Sequence, residues 1–309
     1  MTNPQVPFYP PPAAATPELQ PPTQRSAPID EKLQKLVDKA FSAEGSENAR
    51  NFRNLLHGTW LGDPLHASLT DVPLGSWTGA MVFDLLDELS HRRELSTAAD
   101  ASIAVGIAGA LAAALAGLAD WSQTDPPARR VGMFHGLLNI GATTLFVTSF
   151  VLRQNRRRGR GRLFAALGYC TVLFSARLGG KLVYTHRVGV DRTSGQDFPE
   201  DFVPVMAESN LKDNTPTRAE HNGVPILLVR RGERIFALAE TCSHFSGPLS
   251  EGTLDGDSII CPWHKSQFDL ADGHVINGPA VHPQPCLEAR IVNRQVEVRR
   301  RQDGRQLLG

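Results

Sequence analysis

The chain has 309 residues, with 32 Lys plus Arg against 32 Asp plus Glu and a formal net charge of zero. That balance excludes a nucleic-acid binder living off a global basic surplus. Four cysteines, none in the first half, exclude a disulfide-dense secreted scaffold.

The mean hydropathy of −0.21 averages two unlike parts. Residues 101–176 are strongly apolar, while 1–60 and 187–309 are polar. Residues 1–28 hold nine of the 22 prolines and no apolar run, which predicts a disordered or polyproline tail and not a signal peptide. Over 29–58 an amphipathic helical segment is expected. Ile29, Leu33, Leu36, Val37 and Phe41 recur at helical spacing, and Gly45-Ser46 is a natural break. Such a helix suits a membrane surface or the flank of a folded domain.

Residues 59–190 read as a four-helix transmembrane domain. A crossing needs about 20 mostly apolar residues. Segments 101–119 and 131–152 contain no Asp, Glu, Lys or Arg, and 163–185 is apolar up to Ala176, before Arg177 and Lys181. Segment 69–89 is the weakest span, holding Asp71, Pro73 and Asp84. With four crossings, the short loops 90–100 and 153–162 share one side and carry eight arginines, against Arg129 and Arg130 on the other. Short basic loops stay cytoplasmic, so the C-terminal part is expected on the extracytoplasmic face of the cell membrane. The run NRRRGRGRLFAALG could also serve a twin-arginine export step.

At the end of the bundle away from those arginines, the four-span reading gathers His57, His66, Asp71, Asp120, His135, Arg177, Lys181 and His186. Three roles suit such a group: helix ends satisfying one another, a quinone site, or axial haem ligation by His135 with His66 or His186.

After a linker at 191–203 the pattern turns to short alternating runs. VPILLV, RRGE and RIFAL (224–238) make one hairpin, and ARIV, Asn293-Arg294 and QVEV (289–298) another. A small antiparallel all-β domain over 204–300 follows, with a tail at 301–309. Between the hairpins stand Cys242-x-His244 and Cys261-x-x-His264, with 16 residues between the pairs. Two thiolates with two imidazoles suit tetrahedral zinc. They equally suit a [2Fe–2S] centre in which two His replace two Cys on one iron. The tight C-x-H is unusual for structural zinc, whose first pair is normally C-x₂₋₄-C.

This segment resembles the Rieske iron–sulfur family over roughly 204–300. The flanks GPLSEG (247–252) and CPWHKSQFDL (261–270) are similar to it, and Gly278-Pro279 falls where the family has a proline loop over its cluster. The resemblance implies that Cys242 and Cys261 bind the inner iron, and His244 and His264 the outer one. It also implies one-electron transfer with redox partner proteins, a reductase or an oxygenase, or with quinol. Rieske proteins of quinol-oxidising complexes carry two more cysteines that tie the cluster loops; Gly247 and Trp263 stand there. They also carry a Tyr whose hydroxyl donates to a cluster-binding sulfur, and Phe268 stands there, while Ser266 matches the family serine. Each lost donor leaves the reduced centre less stabilised, so a low-potential, ferredoxin-type centre is expected.

A stand-alone oxygenase does not fit. It needs a second iron held by two His and a carboxylate, and the 45 residues after His264 hold only His274 and His282, without ligand-like company. Cys170 and Cys286 are expected to be buried structural thiols. LHGTWLGDPLHASLTDVPLG (56–75) and GKLVYTHRVGV (180–190) resemble an uncharacterised bacterial four-span membrane family. The whole reads as a multi-domain protein, an α-helical transmembrane bundle followed by a Rieske domain with one [2Fe–2S] cluster.

Overall fold

The computed structural model describes residues 32–37 and 47–301. The Pro-rich tail, the Gly45-Ser46 break and residues 302–309 lie outside the described residues. Residues 32–37 are helical, and the buried Gln34 donates its side-chain N–H to the Ser122 carbonyl at 2.6 Å. Five longer helices follow: α1 Glu47–His57, α2 Leu65–Ser90, α3 Arg93–Ser122, α4 Pro126–Gln154 and α5 Arg158–Tyr184. Prolines open α4 where their missing N–H costs no hydrogen bond. α2 ends on His91 in the left-handed conformation. The links between α2 and α5 are two or three residues long, so consecutive helices run antiparallel.

α2 lies along α3, and α4 along α5. Small residues make this close approach feasible, because helices in lipid associate by tight contact. A Cβ on Gly109 would come 2.6 Å from Val72, and one on Gly168 would come 3.1 Å from Phe146. At the centre Trp77 and Phe146 stack with centroids 4.0 Å apart, packed with Ala80, Ile103, Ala142 and Ala165. Leu111, Ile140, Leu163 and Phe174 point outward instead. Large apolar side chains thus cover the exterior as well as the centre, as a lipid solvent allows.

Three helices, α3, α4 and α5, are long and apolar enough to cross a membrane. α2 has the length without the composition, because its sequence carries Asp71, Asp84, Asp87 and Glu88. Asp84 and Asp87 face a charge cluster at one end of the bundle. The Arg153 guanidinium is fully buried and ion-pairs with Asp84 and, at 3.2 Å, with Asp100. Arg158 reaches Asp100 at 2.6 Å, and Arg162 pairs with Asp87 and Glu88. Three of the arginines counted for topology are therefore internal partners of carboxylates.

The β domain has ten strands: β1 Val203–Ala207, β2 Thr217–His221, β3 Val224–Arg231, β4 Arg234–Ala239, β5 Thr253–Asp255, β6 Ser258–Ile260, β7 Gln267–Asp269, β8 Val275–Asn277, β9 Cys286–Val292 and β10 Gln295–Arg300. They form a six-stranded sheet, β1-β10-β9-β4-β3-β2, and a four-stranded sheet, β5-β6-β7-β8. All pairings between strands are antiparallel. Both expected hairpins are present. Asn293 and Arg294 both take positive φ, as a two-residue hairpin turn requires.

β3 is buried on both faces. Ile226 and Leu228 join one core with Leu287, Val296 and Val298. Leu227 and Val229 face the other sheet, with Leu249, Ile259, Phe268 and the two cysteines Cys242 and Cys261. Phe198, from the expected linker, is 4% exposed and belongs to the first core, so that segment packs on the domain.

Replacing Arg153 with Ala strands Asp84 and Asp100. Losing one partner of a buried pair costs about 3–5 kcal/mol. The low end is expected, because Arg162 (3.4 Å) and Arg158 (3.9 Å) still reach Asp84. Thermal unfolding of the detergent-solubilised variant should show a clear drop in midpoint; an unchanged midpoint would contradict the arrangement.

Candidate metal centre

Three loops meet at one end of the two sheets. The first joins β4 to β5 and carries Cys242 and His244. The second joins β6 to β7 and carries Cys261 and His264. The third joins β8 to β9 and contains Gly278-Pro279, with a cis peptide bond.

The first two loops repeat one local design. Cys242 N–H donates to Gly247 O, and Ser246 N–H donates back to Cys242 O, both at 2.9 Å. Cys261 N–H donates to Ser266 O at 2.8 Å, and Lys265 N–H to Cys261 O at 3.2 Å. Ser246 and Lys265, each four residues past its cysteine, both take positive φ. Each cysteine thus sits at the root of a tight closed turn that projects its histidine beyond it.

The side chains sort by type. Cys242 and Cys261 are both 1% exposed and lie close enough for each thiol to shift the other's ionisation. The His244 and His264 rings stand edge-on with centroids 5.0 Å apart. Phe245 packs on both, at 4.5 and 5.6 Å. The interaction with Cys242 lowers Cys261 to about 7, while the same interaction and burial push Cys242 well above the usual thiol range. Burial holds His244 well below its ordinary value, with the charges of His264, His57 and Arg192 acting the same way. Burial also lowers His264, against a raising influence from Asp125. Both imidazoles are therefore neutral near pH 7, the form that offers a lone pair to a metal.

Two observations bear on what the site can hold. The His244 Nδ1 is buried and has no hydrogen-bond partner, an orphan that an iron ligand would explain. Donors around one tetrahedral zinc would all lie within about 4 Å of one another at ordinary bond lengths. Among the described residues, the one set of three or more donors with ligand atoms within 4.8 Å is Asp269, Asp272 and His274. No three of the Cys242, His244, Cys261 and His264 donors converge that closely. A sulfur pair beside an imidazole pair suits two irons, the sulfurs on one and the imidazoles on the other.

The grouping of Asp269, Asp272 and His274 corrects the expectation that His274 lacks ligand-like company. His274 Nδ1 lies 2.6 Å from Asp272 Oδ1. The carboxylates are nevertheless occupied by their own turn. Asp269 Oδ1 accepts from Ala271 N–H at 2.7 Å, and Asp272 Oδ1 from His274 N–H at 3.1 Å.

Two further side chains hold the loops in place, and of these only Ser266 is marked in the sequence. Buried Gln284 donates to the Ala239 and Thr241 carbonyls and accepts from Ser243 N–H, bracing the first loop. Ser266 Oγ accepts from Ala280 N–H at 3.0 Å, joining the second loop to the third. A glutamine in PQPC is read as a surface residue unless its three partners are known.

In the helical part, His57 Nδ1 lies 2.8 Å from Asp120 Oδ1. His66 Nδ1 lies 2.8 Å from Ala113 O, and His135 Nδ1 lies 3.0 Å from Ser175 O. Asp71, Arg177 and Lys181 are exposed on outer helix faces, so the expected eight-residue group does not assemble. The helical period turns these three away from the bundle axis. His135 Nε2 is also engaged, by the Asn139 amide at 3.1 Å. Nothing among the described residues supports a haem. Cys170 corrects a second expectation: it is exposed, beside Leu138, Leu145, Leu167 and Phe174 on the apolar exterior. Cys286 is half-buried, and burial pushes its thiol up to about 12.

Comparison with known proteins places this architecture. Residues 201–288 match the Rieske [2Fe-2S] domain, and residues 62–192 match a predicted membrane protein family, DUF2231. The chain belongs to the Rieske [2Fe–2S] family through its C-terminal domain, and membership implies a [2Fe–2S] cluster. It is similar to ferredoxin CarAc of Metapseudomonas resinovorans, 34% identical over 98 residues, which span 31% of this chain and 92% of that protein. It is 45% identical over 100 residues to the ferredoxin component of a p-cumate 2,3-dioxygenase system of Pseudomonas putida, covering 32% of this chain and 85% of that protein. The ferredoxin subunit of an anthranilate 1,2-dioxygenase of Burkholderia cepacia is 32% identical over 98 residues, 32% of this chain and 91% of that protein. Each of these three alignments spans about a third of this chain, while the helical residues 62–192 match DUF2231.

A Cβ on Gly247 would sit 2.8 Å from Cys261 Sγ and 3.2 Å from Trp263. Gly247→Ala should therefore overpack the junction of the two loops, at a cost of about 1–3 kcal/mol. Iron content and visible absorption of the purified protein should fall. Wild-type iron content in this variant would refute the close approach.

Proposed function

We propose that this is a membrane-anchored, ferredoxin-like electron-transfer protein that passes single electrons between a redox donor and a partner redox protein. The observation that carries the reading is the sorted donor set, two adjacent thiols and two adjacent imidazoles with an orphaned nitrogen. In this reading Cys242 and Cys261 hold the inner iron, and His244 and His264 the outer. The cluster supplies one-electron chemistry without a bond made or broken in a substrate. The chain's own residues do the rest. Leu227, Val229, Leu249 and Phe268 keep water from the sulfur side. The paired turns fix the four donors, and Gln284 and Ser266 stop the loops from drifting.

Phe268 is fully buried and offers no hydroxyl. The proposed centre therefore lacks a donor that would favour its reduced form, and its potential falls on the order of −150 to 0 mV, the low end for two-His clusters. The relatives' names attach them to dioxygenase systems, which supports a reductase or oxygenase as partner.

For the membrane part we infer four crossings, with α2 as the fourth. It is 26 residues long and lies against α3, and its acidic residues Asp84, Asp87 and Glu88 are paired by arginines at the bundle end. With the arginine-rich end cytoplasmic, the Rieske domain faces away from the cytoplasm. A second reading is a subunit of a quinol-oxidising complex. It is favoured by the position of the imidazole pair, close enough to the helical domain for His57 and Asp125 to act on it. Gly247, Trp263 and Phe268 weigh against it.

A redox titration of the membrane-bound protein followed by low-temperature EPR tests both readings. A Rieske signal with a midpoint near or below 0 mV is expected; a midpoint near +300 mV would favour quinol oxidation. Zinc in place of iron would overturn the proposal. His264→Ala should abolish the signal and leave membrane insertion intact, while Cys286→Ser should change neither.

A further inference from the structure

The imidazole pair is half-buried. Two polar clasps bring it against the ends of the helices. In the first, Asn54 of α1 holds the third loop. Its amide donates to Asn277 Oδ1 at 3.1 Å and to Ile276 O at 3.3 Å, and its oxygen accepts from Gly278 N–H at 2.9 Å. The neighbouring Arg53 donates to Gly278 O at 3.1 Å. A Cβ on Gly278 would come 3.2 Å from Thr59 and 3.3 Å from His57, so the loop and the end of α1 already touch.

In the second clasp, Arg192 holds the first loop. Its backbone N–H donates to Ser243 O at 3.0 Å, and its guanidinium lies over the Phe245 ring at 5.3 Å. The same guanidinium donates to His186 O and Arg187 O, which fixes the segment leading out of α5. His282 adds a contact, with Nε2 3.3 Å from Gly189 O. Two of the three loops around the centre, the first and the third, are therefore engaged by the helical part and the segment leading out of it. Arg53, Asn54 and Arg192 all lie outside the 201–288 match, and the three relatives are aligned over 85–92% of their own length. Those relatives have little room for a segment that could cover the same edge.

We propose that the edge bearing His244 and His264 is a built-in interface whose partner is this chain's own membrane domain, so that a soluble redox protein does not dock there in the resting molecule. The proposal rests on the reading of those two histidines as ligands of the outer iron. The arrangement commits the imidazole edge to the membrane side. A soluble partner meets another surface, or meets this edge only once the clasps have opened.

The test uses the full-length chain in lipid nanodiscs. Asn54→Ala/Arg192→Ala removes the Asn54 hydrogen bonds and the Arg192–Phe245 contact and no cluster ligand, and keeps the Arg192 backbone bond to Ser243; Arg53→Ala, a milder variant, removes one hydrogen bond. Hydrogen exchange of segment 243–247 is one readout. Relaxation of the reduced cluster's EPR signal by a water-soluble paramagnetic chelate is the other. The expected result is slow exchange and weak relaxation in the wild type, both rising several-fold in the double variant. Equal exchange or equal relaxation in wild type and variant would overturn the proposal. If the double variant loses its cluster, Arg53→Ala takes its place in the EPR comparison, and an unchanged signal there overturns the proposal in the same way. No Rieske signal in the wild type would defeat the functional reading instead, while the exchange arm would still decide whether the domains are docked.

Discussion

The whole arrangement depends on burying two thiols and two imidazoles at the tip of a small β domain without leaving them free to move. A buried polar group without a partner is costly, and a mobile one cannot bind metal well. The chain answers with backbone. Each cysteine opens a turn closed by two main-chain hydrogen bonds, and each turn needs a residue at positive φ, Ser246 or Lys265. The apolar faces of β3 and β4 then seat the sulfur side, with Leu227, Val229 and Leu238 all fully buried. Metal ligation in this fold is first a problem of loop closure and only then one of chemistry.

The Rieske half was legible because its chemistry is compressed into short stretches. Cys242-x-His244 and Cys261-x-x-His264 set donor type and spacing within a few residues each, and alternation marked the two longest hairpins. The supports were less legible. Ser266 stood out only as the family serine, and Gln284 not at all, because its partners lie 41 to 45 residues away and no local pattern announces them.

The membrane half was legible in its helices and less so in its surfaces. Hydropathy located α3, α4 and α5, but composition alone cannot say which side of a helix a charge occupies. Asp71, Arg177 and Lys181 were grouped with the histidines because they share a level along the bundle axis. The helical period turns them outward, while His57 is turned inward to Asp120. Cys170 failed for the same reason. An apolar segment in lipid has its large residues outside, so an apolar neighbourhood does not imply burial.

The two ends of the bundle solve opposite problems. At the arginine-rich end, Arg153, Arg158 and Arg162 are matched by Asp84, Asp87, Glu88 and Asp100. That pairing does not cancel their weight in orientation, because the positive-inside rule counts Lys and Arg in the loops and gives acidic residues little influence. The same side chains can therefore set the topology during insertion and then close that end of the folded bundle. The opposite end is held differently: His57 pairs with Asp120, while Arg53, Asn54 and Arg192 place donors on main-chain groups. Such an end is completed by a surface that offers matching donors and acceptors, and the loops around Gly278 and Ser243 present them.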